Sequence, residues 1–136
     1  MKKNVVAIVQ ARMGSKRLPK KVIAEINDKP LIIFLLERLK KCKEINRIIL
    51  AIPDTPENDF LEKICRKEHY EIFRGSEKDV LLRYSRASLH ISEEVIVRIT
   101  GDCPLIDPQL LSEGIKLFKE KNYDYLSNCF PPSFPD

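Results

Sequence analysis

Apolar residues along the chain fall into two kinds of run that take turns. Residues 4–11 (NVVAIVQA) are a β-branched run suited to a strand buried on both faces of a sheet, and 47–53 (RIILAIP), 70–73 (YEIF) and 94–100 (EVIVRIT) are further short runs that predict strands. Between them the apolar positions recur at helical spacing. PLIIFLLERLKK follows Asp28, which can cap a helix, and Pro30, which suits a first turn. Thr55-Pro56 opens a second helix with Phe60, Leu61, Ile64 and Cys65 on one face. Ser76 and Asp79 have capping-box spacing ahead of Val80, Leu81, Tyr84 and Ala87. Asp107-Pro108 starts a fourth helix, with Leu111, Ile115 and Phe118 in register, and YDYLS around Tyr125 predicts a fifth strand. Strands alternating with helices at this spacing predict an α/β fold: a mostly parallel sheet with helices on both faces.

Composition narrows the class without naming a function. The 136 residues are 43% hydrophobic and 32% charged, a globular profile for one domain over residues 1–136. The net charge of +4 is unevenly spread: residues 1–50 hold 13 Lys or Arg against 4 Asp or Glu, and the rest hold 11 against 16. A basic front half points to an anionic ligand. Nucleic acid fits poorly, since aromatics are 7% and none interleaves with the first basic loop. Cys42, Cys65, Cys103 and Cys129 form no C-x-x-C pair, so the pattern suits reduced thiols in the cytoplasm better than a zinc or disulfide framework. No apolar run approaches the roughly 18 to 20 residues of a membrane span. Met-Lys-Lys before residues 4–11 faintly mimics a signal peptide, but the apolar stretch is short and runs into a basic loop.

Chemistry concentrates in loops after strands, where open α/β sheets bind ligands. After the first strand, residues 9–21 (VQARMGSKRLPKK) gather Arg12, Lys16, Arg17, Lys20 and Lys21 around Gly14, Ser15 and Pro19. Backbone N–H groups of such a turn can cradle an anion, with Arg12 and Lys21 adding charge-assisted hydrogen bonds. Neither a Walker A pattern nor G-x-G-x-x-G is present. Taken alone, the loop suits a phosphate site or a solvated basic surface, and Lys16 and Lys20 read as surface charges. After the fourth strand, Asp102 in GDCPLID is placed to hold Mg²⁺, which takes one or two carboxylates plus substrate phosphates, or to serve as an ordinary turn residue. Arg98 reads as the partner of a buried acid. His69 and His90 have no ligand-spaced partners, and Cys103 has no nearby histidine to activate it.

Three motifs in order carry a family resemblance. QARMGSKRLPKK is similar to the A-R-x-x-S-x-R-L-P-x-K signature of sugar nucleotidyltransferases that make CMP-activated acid sugars. FRGSEKDVLLRY and VRITGDCPLIDP resemble more closely the cytidylyltransferase-like proteins of spore-coat polysaccharide biosynthesis, within the acylneuraminate cytidylyltransferase superfamily. The resemblance runs from Val5 to the C-terminus. It implies a nucleotide-diphospho-sugar transferase (Rossmann-like) fold, CTP as donor, Mg²⁺ as cofactor and an acid or amino sugar as acceptor. It further implies attack of a sugar hydroxyl on the α-phosphate with release of pyrophosphate, and it leaves room for a homodimer.

Carried over by position, Arg12, Gly14, Ser15 and Lys21 match triphosphate-binding residues, and Arg17, Leu18 and Pro19 complete that loop's signature. Arg74, Gly75 and Ser76 fall where the family contacts the nucleoside, and Asp102 matches its metal-binding aspartate, so Arg12, Lys21 and Asp102 are the implied catalytic residues. Lys20 stands where the family usually has glycine. Relatives continue past FPD, so the resemblance identifies this chain as an N-terminal, nucleotide-binding portion. The alternatives that stay open are a non-catalytic nucleotide-binding fragment and a glycosyltransferase of the same fold, although no D-x-D occurs.

Overall fold

A computed structural model describes residues 3–130. The strands are β1 (Val5–Gln10), β2 (Glu25–Ile26), β3 (Lys29–Pro30), β4 (Arg47–Pro53), β5 (Glu71–Gly75) and β6 (Val95–Thr100). The helices are α1 (Leu31–Lys40), α2 (Asp59–Lys67), α3 (Val80–Ser88) and α4 (Pro108–Lys121). Four strands pair in the order β5-β4-β1-β6, all parallel. β1 lies inside that sheet, and Val5 to Val9 are all at 0% exposure, as a β-branched run predicts.

Helices cover both faces, as expected. Five residues of α1 and Leu61 and Cys65 of α2 pack with Val9, Leu50 and Ile52. Tyr84 and Ala87 of α3 cover Val6, Ile8, Ile49 and Ala51 on the opposite face. The chain steps from β1 outward to β4 and β5, then crosses back to place β6 on the other side of β1. Right-handed crossovers put the helices of those opposite steps on opposite faces. The reversal between β1 and β6 is a topological switch point, where carboxyl ends of adjacent strands splay and leave a crevice. No described helix is long and apolar enough to cross a membrane.

Local expectations fare unevenly. Asp107 caps α4 as predicted, its Oδ1 accepting from the N–H groups of Gln109 and Leu110 at 2.7 and 3.1 Å. The α1 start is different. Asn27 and Asp28 both take left-handed φ, 49° and 61°, as the turn of a short β2–β3 hairpin, so Asp28 caps nothing and Pro30 ends β3. That dipeptide is a type I′ signal, weaker than Asn-Gly but of the same physical origin. At α3 the cap is Asp79, which accepts from Leu82 N–H, while Ser76 accepts from Asp79 N–H one turn earlier. The fifth strand does not form: residues 123–127 are irregular. The proline-rich end beyond Phe130 lies outside the described residues.

Candidate active site

The loops leaving β1 and β6 meet. Register pairs Gln10 with Thr100, so both strands end at the same level. Gly101 N–H then donates to the Gln10 carbonyl at 2.6 Å. A Cβ on Gly101 would lie 2.5 Å from that carbonyl oxygen, so only glycine permits this approach. Past the join, Lys21 Nζ reaches Asp102 Oδ2 at 3.1 Å. The cleft between the loops has a volume of about 270 Å³ and is lined by Arg12, Ser15, Arg17, Lys21, Thr100 and Asp102 among others. A larger hollow beside Leu117, Tyr125 and Phe130 carries no ionisable group suited to an anion, only Tyr and Cys side chains.

Inside the first loop, the backbone is held from two sides. The Met13 carbonyl accepts from Ser15 and Lys20 N–H at 2.9 and 3.2 Å, closing the turn on itself. The Ser15 hydroxyl accepts from Leu18 N–H. Met13 N–H donates to Asn58 Oδ1 at 3.0 Å, and Asn58 in turn donates to the Thr55 hydroxyl. Asn58 is 1% exposed, so this side chain is a buried peg anchoring the loop to the turn before α2. Gly14 faces that same turn: a Cβ there would meet the Glu57 carboxylate at 3.1 Å. Lys20 has φ 58°, in the left-handed region that favours glycine. Among the described residues, Arg12, Lys16, Arg17 and Lys20 form no ion pair.

Burial pushes the Asp102 carboxyl up, but hydrogen bonds from Lys21 and the Thr100 hydroxyl outweigh it and hold the group below the usual carboxylate range. It is therefore ionised at neutral pH and paired with a cation. Among the described residues no three His, Cys, Asp or Glu side chains cluster as a metal cage. One carboxylate at the mouth of a basic cleft still suits Mg²⁺, which completes its octahedron with phosphate oxygens and water.

The third predicted loop is built differently. Arg74, near the end of β5, donates to Asp54 Oδ1 at 3.0 Å, to the Thr55 carbonyl at 2.8 Å and to Glu62 at 2.6 Å, with Asp59 at 2.9 Å from Nη1. All three guanidinium nitrogens are thus engaged by the chain itself, chiefly through Glu62, and the pKa rises. The expected nucleoside contact competes with this knot, because the donors are already taken. Gly75 and Ser76 lie beside α3 and its Arg83. Arg98, expected to pair with a buried acid, instead lies over the Tyr84 ring, 4.9 Å from its centroid.

Asn58, Thr100 and Arg83 escaped the reading of the sequence. Asn58 and Thr100 gave no signal. Arg83 did: it shares the apolar face of α3 with Val80, Tyr84 and Ala87, a position where a cation is out of place.

The sequence profile of a family described as cytidylyltransferases matches residues 6–134. An uncharacterized protein of Methanocaldococcus jannaschii is 43% identical over 123 residues, covering 90% of this chain and 51% of its own. The spore coat polysaccharide biosynthesis protein SpsF of Bacillus subtilis is 36% identical over 126 residues, with 90% and 52% covered. The structure of a cytidylyltransferase from Leptospira borgpetersenii superposes with a TM-score of 0.82 at 38% identity, over 87% of this chain and 50% of that one. The chain thus spans about half the length of the curated relatives it matches. With the profile matched almost end to end and the parallel fold shared, the chain belongs to the cytidylyltransferase family.

Proposed function

We propose that this chain supplies the nucleotide-binding half of an enzyme that transfers CMP from CTP to a sugar hydroxyl, releasing pyrophosphate, in surface or spore-coat polysaccharide synthesis. The single observation that carries the reading is the Lys21–Asp102 pair, 3.1 Å across the β1–β6 switch point. It brings cation and carboxylate together where a metal–triphosphate complex needs both. Arg12 and Lys21 hold the triphosphate and disperse charge on the leaving pyrophosphate, with Gly14, Ser15 and Arg17 shaping the turn. Asp102 would hold Mg²⁺, which supplies further charge neutralisation when bound. Gly75 and Ser76 stand at the nucleoside end, where Arg74 braces the strand that carries them. Nucleotidyl transfer at phosphorus needs positioning and electrostatics, not a covalent nucleophile. The acceptor is an acid or amino sugar. The second reading, a nucleotide-binding half that lacks catalysis by itself, is favoured by the half-length coverage of relatives.

Isothermal titration with CTP and Mg²⁺ tests the proposal. Binding is expected, weakened at least about tenfold by Lys21→Ala and by Asp102→Asn, each of which removes one charge-assisted contact of about 1.5–3 kcal/mol. Absence of any heat with millimolar nucleotide sinks it. Pyrophosphate release with a panel of acid and amino sugars separates the two readings.

A further inference from the structure

Arg83 is entirely shielded from solvent on the inner face of α3. Its Nη1 donates to the Ser76 carbonyl, but Nε and Nη2 meet no acceptor. No acid pairs with it among the described residues. Burial, together with the like charge of Arg12, holds its pKa below that of a free guanidinium, against an opposing influence of Tyr84. An unpaired buried cation is among the most costly arrangements a fold can carry, and a chain that keeps one has a use for its donors. Arg74, nine residues earlier, shows what a structural arginine looks like here: every nitrogen is occupied.

The free edge of Arg83 has a definite shape. Nε–H and Nη2–H are parallel and coplanar, a fork that matches two adjacent acceptors on a flat group. Gly75 packs against the aliphatic stem that carries this edge, since a Cβ there would stand 3.1 Å from Arg83 Cγ and 2.8 Å from the Phe73 ring. Arg83 does not line the cleft between Arg12 and Asp102, although Arg12 is near enough for its charge to be felt. A ligand whose phosphates occupy that cleft therefore reaches Arg83 only with its other end.

We propose that Arg83 reads the pyrimidine base, donating Nε–H and Nη2–H to the adjacent O2 and N3 acceptors of cytosine. Uracil presents O2 beside an N3–H, which would oppose a donor to a donor, so Arg83 selects CTP over UTP. The exposed Glu77–Asp79 turn, next to the one carbonyl that Arg83 already contacts, yields as the base enters. This assignment rests on the nucleotide reading above.

The test measures CTP, UTP, 3-deazacytidine triphosphate and pyrophosphate binding, each with Mg²⁺, to the 136-residue chain and to Arg83→Lys and Arg83→Met. The wild type should prefer CTP over both analogues by roughly ten- to a hundredfold, the discrimination of one bidentate pair. Both variants should bring that preference to about one while pyrophosphate affinity shifts by less than about threefold. Arg83→Met should melt no lower than the wild type, because it removes an unpaired buried cation. Discrimination that survives in either variant overturns the assignment, as does a parallel loss of CTP and pyrophosphate, which would make Arg83 a phosphate ligand. Equal wild-type affinity for CTP and 3-deazacytidine triphosphate overturns it without any variant. A wild type that binds neither CTP nor pyrophosphate refutes the functional reading itself.

Discussion

Two cationic regions sit on the same rim of the sheet and meet opposite fates. At the end of β5, Arg74 is closed in by Asp54, Asp59, Glu62 and the Thr55 carbonyl. After β1, among the described residues, Arg12, Lys16, Arg17 and Lys20 stand without an acid, and only Lys21 is paired. Charge count does not separate the two regions; the partner does. A cation whose counter-charge is supplied by its own chain contributes to the fold. A cluster of cations without acids costs the fold some repulsion and keeps its donors for a ligand.

That contrast breaks first on Arg74→Ala. Arg74 and Glu62 are partly buried while Asp54 and Asp59 are exposed, and removing the centre leaves three carboxylates facing one another. Loss of about 1–2 kcal/mol in urea unfolding is expected, between the roughly 0–1 kcal/mol of exposed pairs and the roughly 3–5 kcal/mol of fully buried ones. Arg17→Ala, by contrast, should stay within about 0.5 kcal/mol. Similar losses in the two variants would erase the distinction. Acidity adds a sign. The hydrogen bond from Arg74, then that from Arg66, holds the Glu62 carboxyl below its ordinary 4.5. Its folded pKa lies under the unfolded one, so its stabilisation is complete above that value and is lost as pH falls further. The gap between wild type and Arg74→Ala should therefore narrow as pH falls below about 5.

The open turn has one structural dependence of its own. Asn58→Ala strands Met13 N–H in a buried place, a cost of about 1–2 kcal/mol. Asn58→Asp keeps an acceptor for Met13 but loses the donor to Thr55, so it should fall between wild type and Ala in thermal melts. If Ala and Asp behave alike, Asn58 does not peg the loop through Met13.

Much of this was legible in the residues. The short apolar runs marked the sheet's four strands: the interior β1 is buried from Val5 to Val9, while the edge strand β6 mixes buried and exposed positions. Asp102 and Lys21 could be placed near each other once both loops were assigned to strand ends. What the pattern could not show was tertiary in origin. Asn58 becomes a peg only when the turn before α2 folds against Met13, forty-five residues away. Arg74 looked like a free cation because its three acids come from elsewhere in the chain, Asp54 just after β4 and Asp59 and Glu62 from α2. The β2–β3 hairpin was hidden by its size: two residues per strand leave no periodicity, and Asp28 read as a cap because the same side chain serves both motifs. The fifth strand failed for the opposite reason: an apolar and aromatic run was present, but residues 123–127 are irregular and join neither sheet.

The smallest effect sharpens the comparison most. Lys20 holds a left-handed backbone that costs an L-residue about 1–2 kcal/mol, and glycine relieves it while adding about 0.5–1 kcal/mol of chain entropy to the unfolded state. Lys20→Gly should therefore stabilise the fold by less than about 1 kcal/mol, visible as a slightly higher melting temperature. It also removes one unpaired cation from the turn, so pyrophosphate binding should weaken a little, and less so at high salt, where an exposed charge is screened. Arg74→Ala should do the reverse, lowering stability with pyrophosphate binding little changed. Opposite signs in the two regions are the signature of a turn that trades fold stability for ligand charge. A Lys20→Gly variant that melts lower would show that Lys20 has a structural partner and that the open turn is more closed than its ion pairs indicate.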